Sequence, residues 1–147
     1  MIRFDLADLP DDIVVDAAVL TLYHYAVYQP GTGWTIQRLT EDWQEDAVTY
    51  NTLPTYDPAI YAKAYMLGEA GPVIFDVRDL IAEWVAGASP NYGLLVTNDF
   101  QIYGEWPGVA SSDHPQADWR PELVIEYHES GPGVQTSSWG RLKVRGG

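Results

Sequence analysis

The sequence predicts an all-β fold, an antiparallel β-sandwich of jelly-roll type with one short α-helix around residues 77–86. Three observations predict it: short segments alternate apolar and polar residues at period two, Gly, Pro and Asp punctuate them, and only one stretch repeats its apolar residues at helical spacing. No repeat of solenoid period is present, and a lone helix does not supply the crossovers that parallel βαβ units require. At 147 residues the chain is sized for one core.

The opening segment alternates Ile2 and Phe4 with Arg3 and Asp5, then breaks at Pro10, Asp11 and Asp12, which predicts a strand and a turn. From Ile13 to Tyr28 the chain is dense in β-branched and aromatic residues, with Leu20 and Leu22 on one face and Val19, Thr21, Tyr23 and Tyr25 on the other. It reads as a long, mostly buried strand. QPGTG ends it, and WTIQRL resumes the alternation, so a hairpin is the simplest connection.

Beyond it, Thr40 is placed to cap a short helical turn carrying Trp43, followed by a brief VTY strand and a Pro-punctuated loop. Val77, Leu80, Ile81, Trp84 and Val85 recur at i, i+3, i+4, i+7 and i+8, with Asp76 at the N-cap, Asp79 in the first turn and Gly87 as the stop. GLLVT reads as a central strand, FQIYGEWPGVASSDHPQADWRP as turns, and ELVIEYH as the closing strand. The domain is expected to cover residues 1–129, with residues 130–147 a linker and a basic C-terminal tail.

Composition narrows the partners. Hydrophobic residues make up 46% and charged residues 20%, which is globular composition. The formal charge of -13, from 21 acidic and 8 basic side chains, opposes nucleic-acid phosphates and anionic lipid. It also repels polyanionic polysaccharide unless a cation bridges the two, leaving neutral glycans or protein surfaces as the easier partners. Without cysteine there are no disulfides or thiolate sites. No stretch has the length of a membrane span, so membrane insertion is not expected, and no export signal is read at the N-terminus.

Four segments in order, RFDLADLPDDIVVDAAVLTLY, EDWQEDAVTYNTLPTYD, FDVRDLIAEWVAGASPNYGLLV and VASSDHPQADWRPELVIEY, resemble the DNRLRE domain family, also classed among carbohydrate-binding modules. The resemblance covers roughly residues 2 to 127. It implies a jelly-roll sandwich in secreted or cell-surface proteins, often beside polysaccharide-degrading domains or in adhesion-like chains. Some members are implicated in binding acidic polysaccharide, which conflicts with the charge here, so the ligand type is not carried over. Family members have further strands before the RFDL motif, and the chain is therefore expected to be an N-terminally truncated sandwich whose gap needs an upstream segment, a strand from another copy, or rearranged pairing.

Candidate ligand residues are aromatics in turns, where a ring face meets the C–H face of a pyranose: Trp34 after GTG, Tyr56 in the Pro loop, and Tyr103 and Trp106 in YGEWPG. Each also fits a loop anchor packed on the core. Trp43, Trp84 and Trp119 lie in the segments that carry the fold resemblance and are assigned to structure. His24, His114 and His128 lack metal-motif spacing, whereas structural calcium is the ion that loop carboxylates suit, with Asp99, Asp113 and Asp118 as candidate ligands. No specific pair of carboxylates points to a hydrolase.

The sequence thus predicts a non-catalytic carbohydrate-binding or adhesion module of a secreted or cell-surface protein, with a polysaccharide or surface glycan as partner. The alternative is a structural subunit of an extracellular filament or surface layer, a homo-oligomer assembled by strand complementation between copies.

Overall fold

Alternation along Ile13–His24 builds the central strand, β1, of the computed structural model, which describes residues 1–25, 33–65, 68–98, 108–129 and 139–145. Ala18, Leu20, Leu22 and His24 turn inward and are at most 3% exposed, while Val19 and Tyr25 on the opposite face are 36% and 40% exposed. The strand therefore buries one face, not both. The remaining elements are β2 (Gly33–Arg38), β3 (Ala62–Tyr65), β4 (Gly71–Asp76), α1 (Arg78–Val85), β5 (Leu94–Asn98), β6 (Glu122–Glu129) and β7 (Trp139–Arg145).

Two antiparallel sheets stack as a sandwich, one ordered β4-β1-β6-β7 and the other β3-β2-β5. The hairpin expected between β1 and β2 is not formed. Both edges of β1 are taken, by β4 from Val19 to His24 and by β6 from Ile13 to Thr21, so β2 has no edge left to pair and joins the facing sheet. The register of β1 against β6 shifts between Val15 and Ala17, leaving Asp16 unpaired in the ladder, and its carboxylate meets His128 Nδ1 at 2.8 Å.

Residues 139–145, expected to be a tail, form a strand instead. β7 pairs with β6 over its whole length, setting Glu122 opposite Arg145 and Glu126 opposite Arg141. The physical reason is the edge: without β7 the backbone groups of β6 would lack partners on that side. Gly140 faces Tyr127, and a Cβ there would run into the tyrosine ring, so the glycine lets the aromatic lie across the strand.

Other expectations shift in detail. The helical turn at Trp43 and the VTY strand are not formed. Thr40 pairs with Thr55, donating its N–H to the Thr55 carbonyl at 2.9 Å, and residues 50–52 make one 3-10 turn braced by the Thr49 N–H donating to Thr52 Oγ1 at 2.8 Å. β3 and β4 were not foreseen as strands. The helix begins one residue late, with Val77 at the N-cap, yet the Asp76 carboxylate still accepts the Arg78 N–H at 3.1 Å. Gly87, at φ +67°, ends it, and its N–H reaches the Trp84 carbonyl at 3.1 Å.

Leu80, Ile81 and Trp84 press α1 against the sandwich, where Phe4, Leu20, Leu22, Ile36, Phe75 and Leu123 form the centre of the core. The opening segment belongs to this core. Ile2 donates to the Leu94 carbonyl at 2.9 Å and accepts from the Leu94 N–H at 2.8 Å, which ties it beside β5. Gly93 permits that approach: at φ +93° its missing Cβ would stand 2.5 Å from the Ile2 carbonyl oxygen. No helix among the described residues is long and apolar enough to cross a membrane.

Candidate functional site

Three chain segments far apart in sequence meet at one margin of the sandwich: the opening strand-like residues, the loop from Asp42 to Val48, and residues 109–112. Trp43 fixes the loop. Its Nε1–H donates to the Tyr92 carbonyl at 2.8 Å, and the Arg3 guanidinium lies over its ring at 5.4 Å while donating to the Trp43 carbonyl at 3.0 Å and to Asp42 at 2.6 Å. A ring held on its edge and on one face is pre-organised, so its geometry costs little conformational entropy when something packs against it.

Between these segments lies a cleft of about 450 Å³, with Trp34, Trp43, Glu45, Ser111 and Ser112 among its walls. The size suits a small organic ligand or part of a chain. Trp34 is 5% exposed, the second residue of β2, and packs inward with Ile36. Its Nε1–H is buried with no hydrogen-bond partner among the described residues. An orphan donor of this kind carries a desolvation penalty of roughly 1–3 kcal/mol, and with essentially no accessible surface the atom is a cost of core packing and not a contact offered to a ligand.

The electrostatics of the margin are acidic. Glu45 lines both this cleft and its neighbour, which Asp5 and Arg3 also line, and the Arg3 guanidinium is already paired with Asp42. Burial holds the Met1 α-amino group below its ordinary value, against the pull of Glu45, which weakens the other cation at the cleft. Aromatic surface, hydroxyls and carboxylate acceptors among the described walls are suited to a ligand rich in hydroxyl donors.

Residues 1–127 match the family model of Carbohydrate-binding module family 96, the same span over which the four ordered sequence segments run. The chain belongs to that family. No curated protein and no solved structure matches it.

In this carbohydrate-binding module the residues singled out from sequence do not gather at one place. Trp34 reaches the cleft, but as a buried core residue and not as a ring face offered from a turn, because its position in β2 gives it the inward parity of Ile36. Tyr56 is 44% exposed and bridges to Leu39, and it is not among the described residues lining the cleft. Tyr103, Trp106 and Asp99 lie outside the described residues. Asp113 accepts a hydrogen bond from the Ser111 hydroxyl at 2.5 Å, which holds its carboxyl below the ordinary range, while Asp118 is exposed on the 3-10 turn Ala117–Trp119. The described residues hold no group of three or more carboxylate or imidazole side chains arranged for a metal ion.

Two further clusters in the module are architectural. Trp119 lies flat between Tyr23, at 4.1 Å, and His114, at 5.0 Å, so both of its faces are covered and the stack holds the 114–119 turn onto β1. At the other end Arg38 donates to Asp57 at 2.7 Å and the Tyr61 hydroxyl donates to Glu83 at 2.9 Å, tying β2, the 57–61 loop and α1 together. Trp43 and Glu45 are the cleft residues that sequence reasoning missed as ligand candidates. The acidic loop around them reads as solvated until the opening segment is seen to pack against it.

Proposed function

We propose that this module binds a neutral polysaccharide in the cleft between Trp34 and Trp43, without catalysis, as a non-enzymatic part of a secreted or cell-surface protein. The observation that carries this reading is the Trp43 ring, fixed by Tyr92 and Arg3, in the wall of a cleft of about 450 Å³. Neutral sugars are favoured because the described walls offer carboxylate acceptors and the Arg3 guanidinium is already paired, so a uronate would meet repulsion offset only by the Met1 amine, whose charged form burial disfavours. The four ordered segments support the DNRLRE kinship, and with it the extracellular setting and an adhesion role.

Two of the described carboxyl groups, neither of them lining the cleft, are unsuited to acid catalysis. Asp57 and Asp113 are both held below their ordinary values, the opposite of what a general acid at neutral pH requires. The filament alternative draws on an opening strand in need of a partner. Here Ile2 exchanges both hydrogen bonds with Leu94 of the same chain, which supports self-completion over strand donation.

Affinity gels with neutral and uronate polysaccharides test the proposal. Retardation by a neutral polymer is expected, and Trp43→Ala should weaken it at least tenfold, about 1.4 kcal/mol, with the circular dichroism spectrum retained. No retardation by any polymer, or an affinity indifferent to Trp43→Ala, would sink it.

A further inference from the structure

Arg141, Lys143 and Arg145 are three of the chain's eight basic residues, and all three lie in β7, a strand without an acid. None of them is among the described walls of the glycan cleft. The register of β7 with β6 is unbroken, so the three cations fall at alternate positions and share one face of the sheet. Leu142 and Val144 fall on the other face, in register with the buried Ile125 and Leu123. β7 ends the order β4-β1-β6-β7, and no described strand pairs with its outer side.

We infer that the outer edge of β7 receives an extended segment of another protein, one with acidic residues at alternate positions, which joins the sheet as an added strand. The edge is the first argument. Trp139–Arg145 holds one register against β6 with no proline and no bulge, and its alternate residues direct N–H and C=O groups away from β6, a row that an incoming strand can satisfy. The opposite edge of the sheet differs, because β4 carries Pro72, which has no N–H to offer a neighbour.

Charge identifies the occupant. Opposite charges directly across a strand pair stabilise it, and like charges destabilise it. Two copies of β7 set edge to edge would bring Arg141, Lys143 and Arg145 against their own counterparts, so the edge rejects itself. The other described edges of the chain match it no better: β3 carries Lys63, β5 has no acid, and β4 has only Asp76 besides its proline. A segment of a different chain that alternates acidic and apolar residues fits both faces, with acids in the row of the three cations and apolar residues in the row of Leu142 and Val144. Lys143 matters most, because β6 places Val124 opposite it, whereas Arg141 and Arg145 face Glu126 and Glu122. Cations on an edge strand also serve to block pairing. Here the net charge of -13 already keeps copies apart, and a cationic row reverses that field locally and draws acidic chains in.

The test is NMR titration of the whole chain with short synthetic peptides. A peptide alternating Glu and Val is expected to bind at least about tenfold more tightly than one of the same composition with its Glu residues clustered at one end. Amide exchange should slow at alternate residues of Trp139–Arg145 when it is bound. Lys143→Glu should weaken the Glu/Val peptide at least about tenfold, and a peptide alternating Lys and Val should then bind in its place. Equal affinity for the alternating and clustered peptides, binding that leaves exchange in β7 unchanged, or no binding of the alternating peptide overturns the inference. A uronate polymer held at β7 with no peptide bound would assign the row to polyanions and overturn strand addition as well.

Discussion

Asp57 shows how a single side chain ties local geometry to pH. Its carboxylate accepts the Ala59 N–H at 2.9 Å and the Arg38 guanidinium at 2.7 Å, and these bonds hold its pKa below the ordinary 3.8. A depressed folded-state pKa contributes stability that is fully present above the unfolded value and lost as the pH falls through the folded one. The melting temperature should therefore drop below about pH 4, and Asp57→Asn should narrow the gap between melts at about pH 7 and about pH 3 by lowering stability chiefly at the higher pH. Parallel pH profiles for the two proteins would contradict this. Such a carboxylate is invisible to sequence reasoning, which sees Asp57 as one more acid in a Pro-rich loop. The bond to Ala59 is local, two residues on, but Arg38 becomes a neighbour only because the chain returns antiparallel to β2 at residues 55–57.

At the scale of elements, local patterns were read well where the period lies inside one segment. The alternation of Leu20 and Leu22 against Val19 identified β1, and the i, i+3, i+4 spacing of Val77, Leu80, Ile81 and Trp84 identified α1 to within a residue at each end. Short edge strands carried less signal. In β3, AKAY alternates small and exposed residues, and β7 reads as a basic tail because three of its residues are cationic, although its partner β6 carries acids opposite two of them, Arg141 and Arg145. Connections fared worst, as the missing β1–β2 hairpin shows, because the choice of partner depends on which edges are already filled. Gly93 tests one connection that holds the opening segment at the wall of the cleft. Gly93→Ala forces a Cβ into the Ile2 carbonyl at a positive φ, and should cost roughly 1–3 kcal/mol and expose the Ile2 and Leu94 amides to faster hydrogen exchange. An unchanged melting temperature with protected amides would show that the opening segment is held elsewhere.

Across the whole molecule, charge is the dominant long-range feature. The formal charge of -13 creates self-repulsion that salt relieves, and exposed pairs such as Arg78–Asp79 are too weakly stabilising to reverse the trend when screened. Raising ionic strength from about 10 mM to about 200 mM should increase the melting temperature by a few degrees, and a fall would indicate that specific ion pairs outweigh the net field. On the reading proposed above, the same field favours a neutral glycan over an anionic one.

The amino-acid sequence by itself determined the fold class, the positions of β1 and of the helix, and the resemblance to carbohydrate-binding modules, since each of these is written in spacing along the chain. Only the tertiary structure decided which strands share a sheet, that the last strand closes β6, and that Trp34, Trp43 and Glu45 face a common cleft. Those outcomes depend on edges and surfaces brought together from distant parts of the chain, where the hydrophobic effect and backbone hydrogen bonding act on the whole core at once.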